Sequence, residues 1–433
     1  MANFNADVVV SGGGAAGIAA AIAAAKCGKK VALAELADGI GGDLFSGMPL
    51  LGAFTARGVQ ISRGVLDELL DACRAINPAS VIGPVCDYRT VVGLCVDPEV
   101  LKLAVYELIR KYRITLFTNT MITGAQVQAG RLTSVKLQSK NAAFELDCRA
   151  AVDATGGGYL TKMGGGKVLF GSEEKEFQPL SMVFRMENVD YEALLQFVAD
   201  NPQDILLCEN SALPKERSEA VRGLLKRGMP YIAISSASQL FDSALKSGKL
   251  HPFTAAFITP TSPERMEVCL NVTRIAKIDC ANDGEMSGAL PLLAEQVMVT
   301  EKFFRQNVPG FQNARLSCVY NRCGVRESGR IDGEYTLTQS DVVEARRFPD
   351  AVAQGCHHVD IHGSGTKQVR IPVKDGLCYD IPAGCLRPKG LVNVFAAGRC
   401  ISSDRGANGS ARVMGTCLST GQAAGKLAAE CAD

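Results

Sequence analysis

One glycine-rich segment near the start constrains the fold of this chain more than any other feature. Residues 6–10, ADVVV, form a valine-rich run of strand length, and the loop GGGAAG follows at residues 12–17. An alanine-rich stretch, AGIAAAIAAAKCG, comes next and ends at Gly28, and Lys30 to Ala34 is predicted to form a second strand. A G-x-G-x-x-G loop between a strand and a helix predicts a unit that binds a dinucleotide. The alternative is a glycine turn in an ordinary βα unit.

Each small residue of this loop has a physical task in such a unit. Gly12 allows the tight turn, Gly14 lets the backbone approach a pyrophosphate, and Gly17 lets the helix pack close to the strand. Ala15 and Ala16 open the helix, whose free N–H groups and positive dipole favour phosphate. We therefore expect these five residues to contact the cofactor.

An acidic residue and a second glycine loop narrow the choice of cofactor. Glu35 follows Gly17 by 18 residues, where a carboxylate accepts hydrogen bonds from a ribose and repels a 2′-phosphate. Gly41 and Gly42 come shortly afterwards. A second glycine loop just after the ribose acid is unusual for nicotinamide enzymes and favours a longer cofactor, FAD, whose middle section crosses the backbone.

The remaining chain predicts an α/β protein with a discontinuous cofactor domain. We expect that domain to comprise residues 1–158 and 391–433, with a β-meander inserted at about 114–148. Residues 159–390 alternate between strand-like runs and helical segments, which predicts a mixed α+β substrate or cap domain. Asp97-Pro98 has the pattern of an N-cap and first-turn proline, opening a helix that runs to about Arg113.

Composition excludes several other classes of protein. The net charge is +1 and no lysine or arginine block occurs, so neither nucleic acid nor a membrane surface is an expected partner. The 16 cysteines form no Cys-x-x-Cys pair, which disfavours zinc or iron–sulfur cages and favours a reducing cytoplasm. The first residues lack the basic region of a signal peptide, and we expect no metal site.

A second glycine-rich segment closes the chain. A predicted buried strand ends at Gly398, a loop with three arginines follows, and a helix is predicted to open at Gly415-Thr416. Gly421 and Gly425 would each cost that helix about 1 kcal/mol relative to alanine. The cost is understandable if the helix packs closely against another element. One long ligand is then able to contact three separate segments, which are residues 12–17, 153–158 and 398–416.

At this point the chain resembles the single-Rossmann FAD-dependent oxidoreductases of the glutathione-reductase-like flavin fold. The resemblance rests on AAGRCISSDRGANGSARVMGTCLSTGQAAG (396–425), CGVRESGRIDGEYTLTQSDV (323–342), QPLSMVFRMENVD (178–190) and VDIHG (359–363). It implies that the glycine loops and Glu35 hold FAD, with further contacts from Met121, Ala154, Thr155, Gly156, Gly398, Arg399, Gly415 and Thr416.

The resemblance also implies how the cofactor is tuned. The helix that begins near Gly415 and Thr416 would point at the N1–C2=O edge of the flavin, where its dipole stabilises the reduced form. No histidine or cysteine near the cradle is suited to covalent attachment, so we expect FAD to be non-covalent. The absence of Cys-x-x-Cys disfavours disulfide-reductase chemistry.

The candidate catalytic residues are one histidine and three arginines. His362 and Asp360 would share one face of a strand, where an aspartate is able to orient an imidazole. Arg326, Arg405 and Arg412 are candidates for binding a substrate carboxylate. The alternatives are a histidine bonded to backbone at a domain interface, and a structural pair of Arg326 with Glu327. Cys400 and Cys417 are either reactive thiols or buried fillers.

The predicted function is hydride transfer between flavin N5 and a small organic substrate. Dehydrogenation of a hydroxyl or amine and reduction of a C=C bond both remain open. An alternative is an electron-transfer flavoprotein subunit, and a tRNA-acting or monooxygenase flavoprotein are minor alternatives. Because the sequence predicts a single dinucleotide-binding unit, we expect a redox partner or transiently bound NAD(P)H to return the flavin to its starting oxidation state.

Overall fold

The strands among the described residues form six sheets. The computed structural model describes residues 4–171 and 177–433. The strands are β1 Phe4–Ser11, β2 Val31–Ala34, β3 Val81–Cys86, β4 Val92–Val96, β5 Thr115–Phe117, β6 Thr120–Gln128, β7 Arg131–Ser139, β8 Ala143–Asp153, β9 Val168–Phe170, β10 Phe184–Glu187, β11 Ile232–Ser235, β12 Ala255–Ser262, β13 Glu267–Asn271, β14 Arg315–Val319, β15 Gly329–Ile331, β16 Ala351–Gly355, β17 Val359–His362, β18 Gln368–Ile371, β19 Tyr379–Pro382 and β20 Val394–Ala396.

The helices alternate with these strands in both halves of the chain. They are α1 Ala15–Lys26, α2 Val65–Ile76, α3 Pro98–Lys111, α4 Tyr159–Met163, α5 Tyr191–Asp200, α6 Arg217–Arg227, α7 Gln239–Lys246, α8 Asp283–Asn307, α9 Gln339–Val343, α10 Arg405–Ala411 and α11 Met414–Cys431. The Asp97 carboxylate accepts the N–H of Glu99 at 3.0 Å, which confirms the predicted cap of α3. Within the described ranges, no helix is both long and apolar enough to cross a lipid bilayer.

The largest sheet carries the predicted strand–helix–strand unit. Its parallel part has the order β5-β2-β1-β8, and β20 pairs in parallel with the last residues of β8. The antiparallel meander β6-β7-β8 extends the same sheet. Its first turn is at Ala129 and Gly130, which both have positive φ, the geometry that matches the twist of a tight hairpin. The α/β class is therefore confirmed.

The middle of the chain folds around an antiparallel sheet of order β11-β12-β13-β10-β14. A cluster of buried phenylalanines lies beneath this sheet, with the rings of Phe304 and Phe311 meeting edge to face at 5.1 Å. Helices α5, α6, α7 and α8 belong to the same region, which has the predicted mixed α+β character. The division into two domains at residues 158 and 391 stays a prediction.

Helices α1 and α11 pack against each other at backbone contact distance. A Cβ placed on Gly421 would lie 2.1 Å from the Ala16 carbonyl oxygen, and one on Gly425 would lie 2.2 Å from that of Ala20. The glycines inside α11 are therefore explained by close helix packing, as the sequence predicted. This contact brings the beginning of α1 and that of α11 to one region of the molecule.

Replacing Gly425 by alanine tests this packing. In an open helix the substitution would add about 1 kcal/mol of stability. Here we expect it to lower the free energy of unfolding by about 2–3 kcal/mol, because the new methyl overlaps α1. Urea unfolding measures the effect. Gly288→Ala in α8 is the matched control, since a Cβ there meets no atom within 4 Å, and an equal change in both variants would contradict the packing argument.

Candidate active site

The first glycine loop lies where β1, α1 and the end of β8 meet. Gly12 has φ of +96°, and a Cβ on it would lie 2.4 Å from the Ala154 carbonyl oxygen. A Cβ on Gly17 would lie 1.8 Å from the Gly12 carbonyl oxygen. At Gly14 the same test finds no atom within 4 Å. A side chain would therefore clash with the protein at Gly12 and Gly17 but not at Gly14. Ala15 and Ala16, which follow Gly14, begin α1.

Glu35 is buried at the end of β2 and faces this loop. Its carboxylate accepts the N–H of Gly13 at 2.7 Å and that of Ala37 at 2.9 Å. The Glu35 carbonyl accepts the Thr120 N–H at 3.0 Å, which brings β6 and the adjoining Met121 beside the acid. Glu35, the predicted ribose acid, and Met121, a predicted FAD contact, therefore lie next to each other, while their roles toward the cofactor stay predictions.

The second glycine loop lies directly against the first. The Gly41 N–H donates to the Gly13 carbonyl at 2.7 Å, and a Cβ on Gly42 would lie 3.0 Å from the Gly14 Cα. The Tyr320 hydroxyl, which follows β14, donates to the Gly42 carbonyl. The two loops thus form one surface, which also meets the antiparallel sheet.

The end of β8 supplies a third segment of this surface. The Ala154 N–H donates to the Ser11 carbonyl at 2.8 Å, which joins it to the end of β1. The buried Asp153 carboxylate holds the turn that follows by accepting the Thr155 hydroxyl at 2.7 Å. Gly156 has φ of +73°, a conformation that suits glycine.

The segment from Gly398 to Thr416 completes the surface. Gly398 has φ of +76°, and a Cβ on it would lie 2.8 Å from the Ala16 Cβ, at the beginning of α1. Arg399 donates through Nε to the Gly156 carbonyl at 2.9 Å and through Nη1 to the Val325 carbonyl. Its guanidinium therefore ties the third segment to the last one. Helix α11 then starts beside Gly415 and Thr416.

These four segments fit an elongated phosphate-bearing molecule such as FAD. The first turn of α1 has no side-chain cap, so its N–H groups remain for a ligand. Helix α11 has no side-chain cap either, but its Gly415 N–H already donates to the Leu51 carbonyl at 2.8 Å. The Thr416 hydroxyl is buried without a hydrogen-bond partner among the described residues. A bound dinucleotide would fill the open space at Gly14 and would accept a hydrogen bond from the unpartnered Thr416 hydroxyl at the start of α11.

His362 and Asp360 form the contact that their spacing predicted. The His362 Nε2–H donates to Asp360 Oδ2 at 2.9 Å, and the Arg274 Nη1–H donates to His362 Nδ1 at 3.2 Å. These partners define a neutral imidazole with its proton on Nε2 and its lone pair on Nδ1. Burial lowers the pKa of His362 to about 4, against the opposing attraction of Asp360. The backbone-bonded alternative does not describe this side chain.

Two of the predicted arginines lie in the same cluster. Arg412 donates to the Asp360 carbonyl at 3.2 Å, and its guanidinium lies 3.6 Å from Asp360 Oδ2. Arg326 donates to the Pro179 carbonyl at 2.7 Å and to the Ser181 hydroxyl at 2.6 Å. Within the described residues, no carboxylate lies within 4.0 Å of the Arg326 guanidinium.

Arg405 has a different environment. It donates to Glu327 at 3.1 Å, and Arg330 lies 3.2 Å from the other oxygen of this fully buried carboxylate. The predicted alternative, a structural pair between Arg326 and Glu327, is therefore wrong about the partner: Glu327 pairs with Arg330 and Arg405. This arrangement joins α10 to the loop before β15.

The structure adds two residues that the sequence analysis missed. Arg274 follows β13 and is buried, with its Nη2 on the carbonyls of Gly363 and Lys367. Gln178 is buried and accepts the His362 backbone N–H at 3.1 Å. Both belong to segments far from VDIHG in the chain, so no local spacing indicates their proximity. The QPLSMV match that begins at Gln178 was the one available signal.

The two thiols beside the last segment are buried fillers. Burial raises the pKa of Cys417 to about 12 and raises that of Cys400 further. A thiolate is therefore disfavoured at both positions. Within residues 4–171 and 177–433, no group of three or more histidine, cysteine, aspartate or glutamate side chains is placed to hold a metal ion.

Several solved structures resemble this fold. One is a geranylgeranyl bacteriochlorophyll reductase-like protein from Thermoplasma acidophilum, with 13% identity and a TM-score of 0.43 over 99% of this chain and 77% of that one. A mutant of the flavin-dependent brominase Bmp2 gives 13% and 0.46 over 98% and 79%. The p-nitrophenol 4-monooxygenase PnpA from Pseudomonas putida DLL-E4 gives 12% and 0.40 over 77% and 70%. No curated protein matches the chain significantly.

The fold and the four converging segments define a protein built around an α/β dinucleotide-binding unit. The family model of the FAD-dependent oxidoreductases matches residues 7–433. The chain belongs to this family: it is a redox enzyme and FAD is its cofactor. The resemblance seen in the sequence is thereby confirmed.

Proposed function

We propose that this enzyme transfers a hydride between flavin N5 and a small organic substrate. The reaction is the dehydrogenation of a hydroxyl or amine, or the reduction of a C=C bond. The observation that supports it is the buried pair of Asp360 and His362. Arg412 donates to the Asp360 carbonyl, and α11 begins two residues after Arg412, at Met414. A proton-handling group thus lies beside the segment predicted to hold the flavin.

Bound FAD supplies a hydride acceptor or donor at N5. Its predicted contacts are the glycine loops and Glu35 at one end and Gly415 and Thr416 at the other. The N-terminal dipole of α11 would favour negative charge on any group placed before it.

His362 and Asp360 are proposed to manage the proton that accompanies the hydride. The Nε2–H bond to Asp360 fixes the ring and its tautomer, which leaves the lone pair on Nδ1. In this structure the Arg274 Nη1–H donates to that lone pair at 3.2 Å. In dehydrogenation, Arg274 would first turn away from Nδ1, which would then take the proton that the substrate hydroxyl or amine releases. Asp360 would stabilise the resulting imidazolium. Burial alone would raise the pKa of Asp360, but the attraction and hydrogen bond of His362, with His358 and Arg412, outweigh burial and hold this pKa well below 3.8.

Replacing His362 by glutamine tests this role. We expect the variant to bind FAD with an unchanged spectrum but to be reduced by its substrate at least about 100-fold more slowly, since general acid–base catalysis contributes roughly 10²–10⁴-fold. Anaerobic stopped-flow mixing with a panel of alcohols, amines and unsaturated compounds gives the rate. His251→Gln is the matched control, because His251 is half-buried and, among the described residues, its ring nitrogens hydrogen-bond only the Val272 carbonyl. Equal reduction rates in the His362 variant and the native protein would contradict the proposal.

The same experiment addresses the alternative of an electron-transfer subunit. If no organic compound bleaches the flavin and a protein reductant does, hydride transfer to a small molecule is wrong. Addition of NAD(P)H in the same apparatus tests whether a transient nicotinamide or a redox partner recycles the flavin.

A further inference from the structure

Helix α8 has apolar side chains on its solvent-facing side as well as on the side that faces the core. Its inner face, with Leu293, Val297 and Phe304, is buried in the core of the antiparallel sheet. The outer face carries a row of side chains at spacings of three and four residues, which we call the outer stripe: Leu292, Glu295, Met298, Val299 and Lys302. Its three apolar members are 52%, 65% and 37% exposed, in chain order. A contiguous apolar row in water marks an interaction surface.

Two opposite charges flank the apolar centre of the outer stripe. Glu295 lies before the two central apolar residues and Lys302 after them, and both charged side chains are exposed. Seven residues correspond to roughly 10 Å along a helix, so these two charges are too far apart to pair within one copy. The ion pair formed nearby joins Arg305 to Glu301 at 3.5 Å, and among the described residues neither Glu295 nor Lys302 has a group of opposite charge within 4.0 Å. Both charges are therefore free to bind a partner.

The outer stripe is complementary to itself when a second copy runs antiparallel to it. A two-fold axis at the midpoint between Met298 and Val299 places each residue opposite the one that lies equally far from that midpoint on the other copy. Met298 of one copy then faces Val299 of the other. Glu295 faces Lys302 of the second copy, and the symmetry makes this ion pair twice. One surface thus supplies both halves of an interface with an apolar centre and paired charges at its two ends.

The spacing of the outer stripe also suits the packing of two helices. Apolar positions three and four residues apart in alternation form the seam along which helices pack at a shallow crossing angle of about 20°. The seam from Leu292 to Lys302 is about 15 Å long. It lies after Pro291, so a kink at that proline does not interrupt it.

We infer that α8 is the dimer interface of this enzyme, and that a second copy of the chain packs its outer stripe antiparallel against the first. The charges specify both the partner and the direction. In a parallel pair Glu295 would face Glu295 and Lys302 would face Lys302, and like charges at such positions repel. A lipid surface is a poorer match, because helices that lie on it are rich in lysine and arginine, whereas the stripe carries one acid and one base. The inference does not depend on the proposed hydride transfer.

Sedimentation velocity of the FAD-loaded enzyme over about 1 to 500 µM tests the inference. One helix pair buries less area than the about 1,200–2,000 Å² of a stable interface, so we expect a reversible dimer with a dissociation constant of about 1–100 µM. The sedimenting mass should rise with concentration from that of one 45.9 kDa chain to twice this value.

Exchange of the two charges tests the antiparallel register. Glu295→Lys should raise the dissociation constant at least about 10-fold, because it replaces two attractive pairs by two repulsive ones. Lys302→Glu should act in the same way. The double variant Glu295→Lys/Lys302→Glu restores opposite charges and should return to within about threefold of the native value. Glu107→Lys is the matched control, since Glu107 is an exposed glutamate in α3 and its substitution changes the net charge equally.

Met298→Glu tests the apolar centre. It places a carboxylate opposite Val299 of the second copy and should raise the dissociation constant at least about 10-fold. The absorption spectrum of bound FAD, which should be unchanged in every variant, shows that each remains folded. A native protein that stays monomeric up to about 500 µM would overturn the inference. A dimer that Glu295→Lys and Met298→Glu leave intact, or one that the double exchange fails to restore, would overturn it as well.

Discussion

Gly14→Ala should fold with native stability and yet bind FAD about 10- to 100-fold more weakly. The backbone of Gly14, with φ of −76° and ψ of −170°, is accessible to alanine, and a Cβ there meets no protein atom within 4 Å. The free protein should therefore accept the methyl group. The same space lies at the start of α1, where the pyrophosphate is predicted to approach. A methyl in a tightly packed contact costs about 1–3 kcal/mol, which corresponds to that range of affinity.

The measurement separates folding from cofactor binding. Apoprotein stability is followed by urea unfolding, and FAD affinity by the quenching of flavin fluorescence on titration. Gly288→Ala, in α8, is the matched control, since its Cβ also meets no atom within 4 Å. Gly17→Ala provides the contrast, because the overlap with the Gly12 carbonyl should destabilise the apoprotein itself. Native FAD affinity in Gly14→Ala would contradict the placement of the cofactor.

The sequence predicted the cofactor-binding half well because its signals are local. The strand, the glycine turn and the helix follow one another in the chain, and the glycines report close backbone approach wherever they occur. The close packing of α11 against another element was predicted from Gly421 and Gly425, and the structure shows that this element is α1. The structure adds that the second glycine loop lies against Gly14.

The polar cluster was harder to predict because it depends on distant segments. The spacing of Asp360 and His362 predicted their contact, but Arg274 and Gln178 come from elsewhere in the chain. The prediction that Glu327 pairs with Arg326 was wrong for a related reason. Adjacent residues such as Arg326 and Glu327 point in different directions, so nearness in the chain did not predict which arginine the carboxylate binds.

Acidification from pH 7 to pH 5 should destabilise this protein strongly, because its four histidines are held neutral. Burial lowers the pKa of His251, His357 and His362 to about 4, and lowers that of His358 well below 6.5. The His251 Nε2–H donates to the Val272 carbonyl at 3.3 Å, and the His357 Nδ1–H donates to the His358 carbonyl at 2.8 Å. The rings of His357 and His358 stack at 4.0 Å.

The direction of the effect follows from which state binds more protons. Between pH 6.5 and about 4, the unfolded chain protonates these histidines and the folded protein does not. Stability is therefore complete above pH 6.5 and is lost as the pH falls toward 4. Each histidine should cost about 2 kcal/mol at pH 5, a large part of a typical total of about 5–15 kcal/mol. Asp87, whose pKa burial raises above 3.8, offsets part of this loss.

Urea midpoints measured at pH 7, 6 and 5, with and without excess FAD, give this dependence. His251→Gln should flatten it by about one quarter, since one of four equivalent titrations is removed while the glutamine amide replaces the bond to Val272. The slope is the informative quantity, because the substitution itself changes stability equally at every pH. A midpoint that stays constant from pH 7 to pH 5 would mean that the folded protein takes up as many protons as the unfolded chain over this range. The lowered pKa of His362 would then be wrong as well.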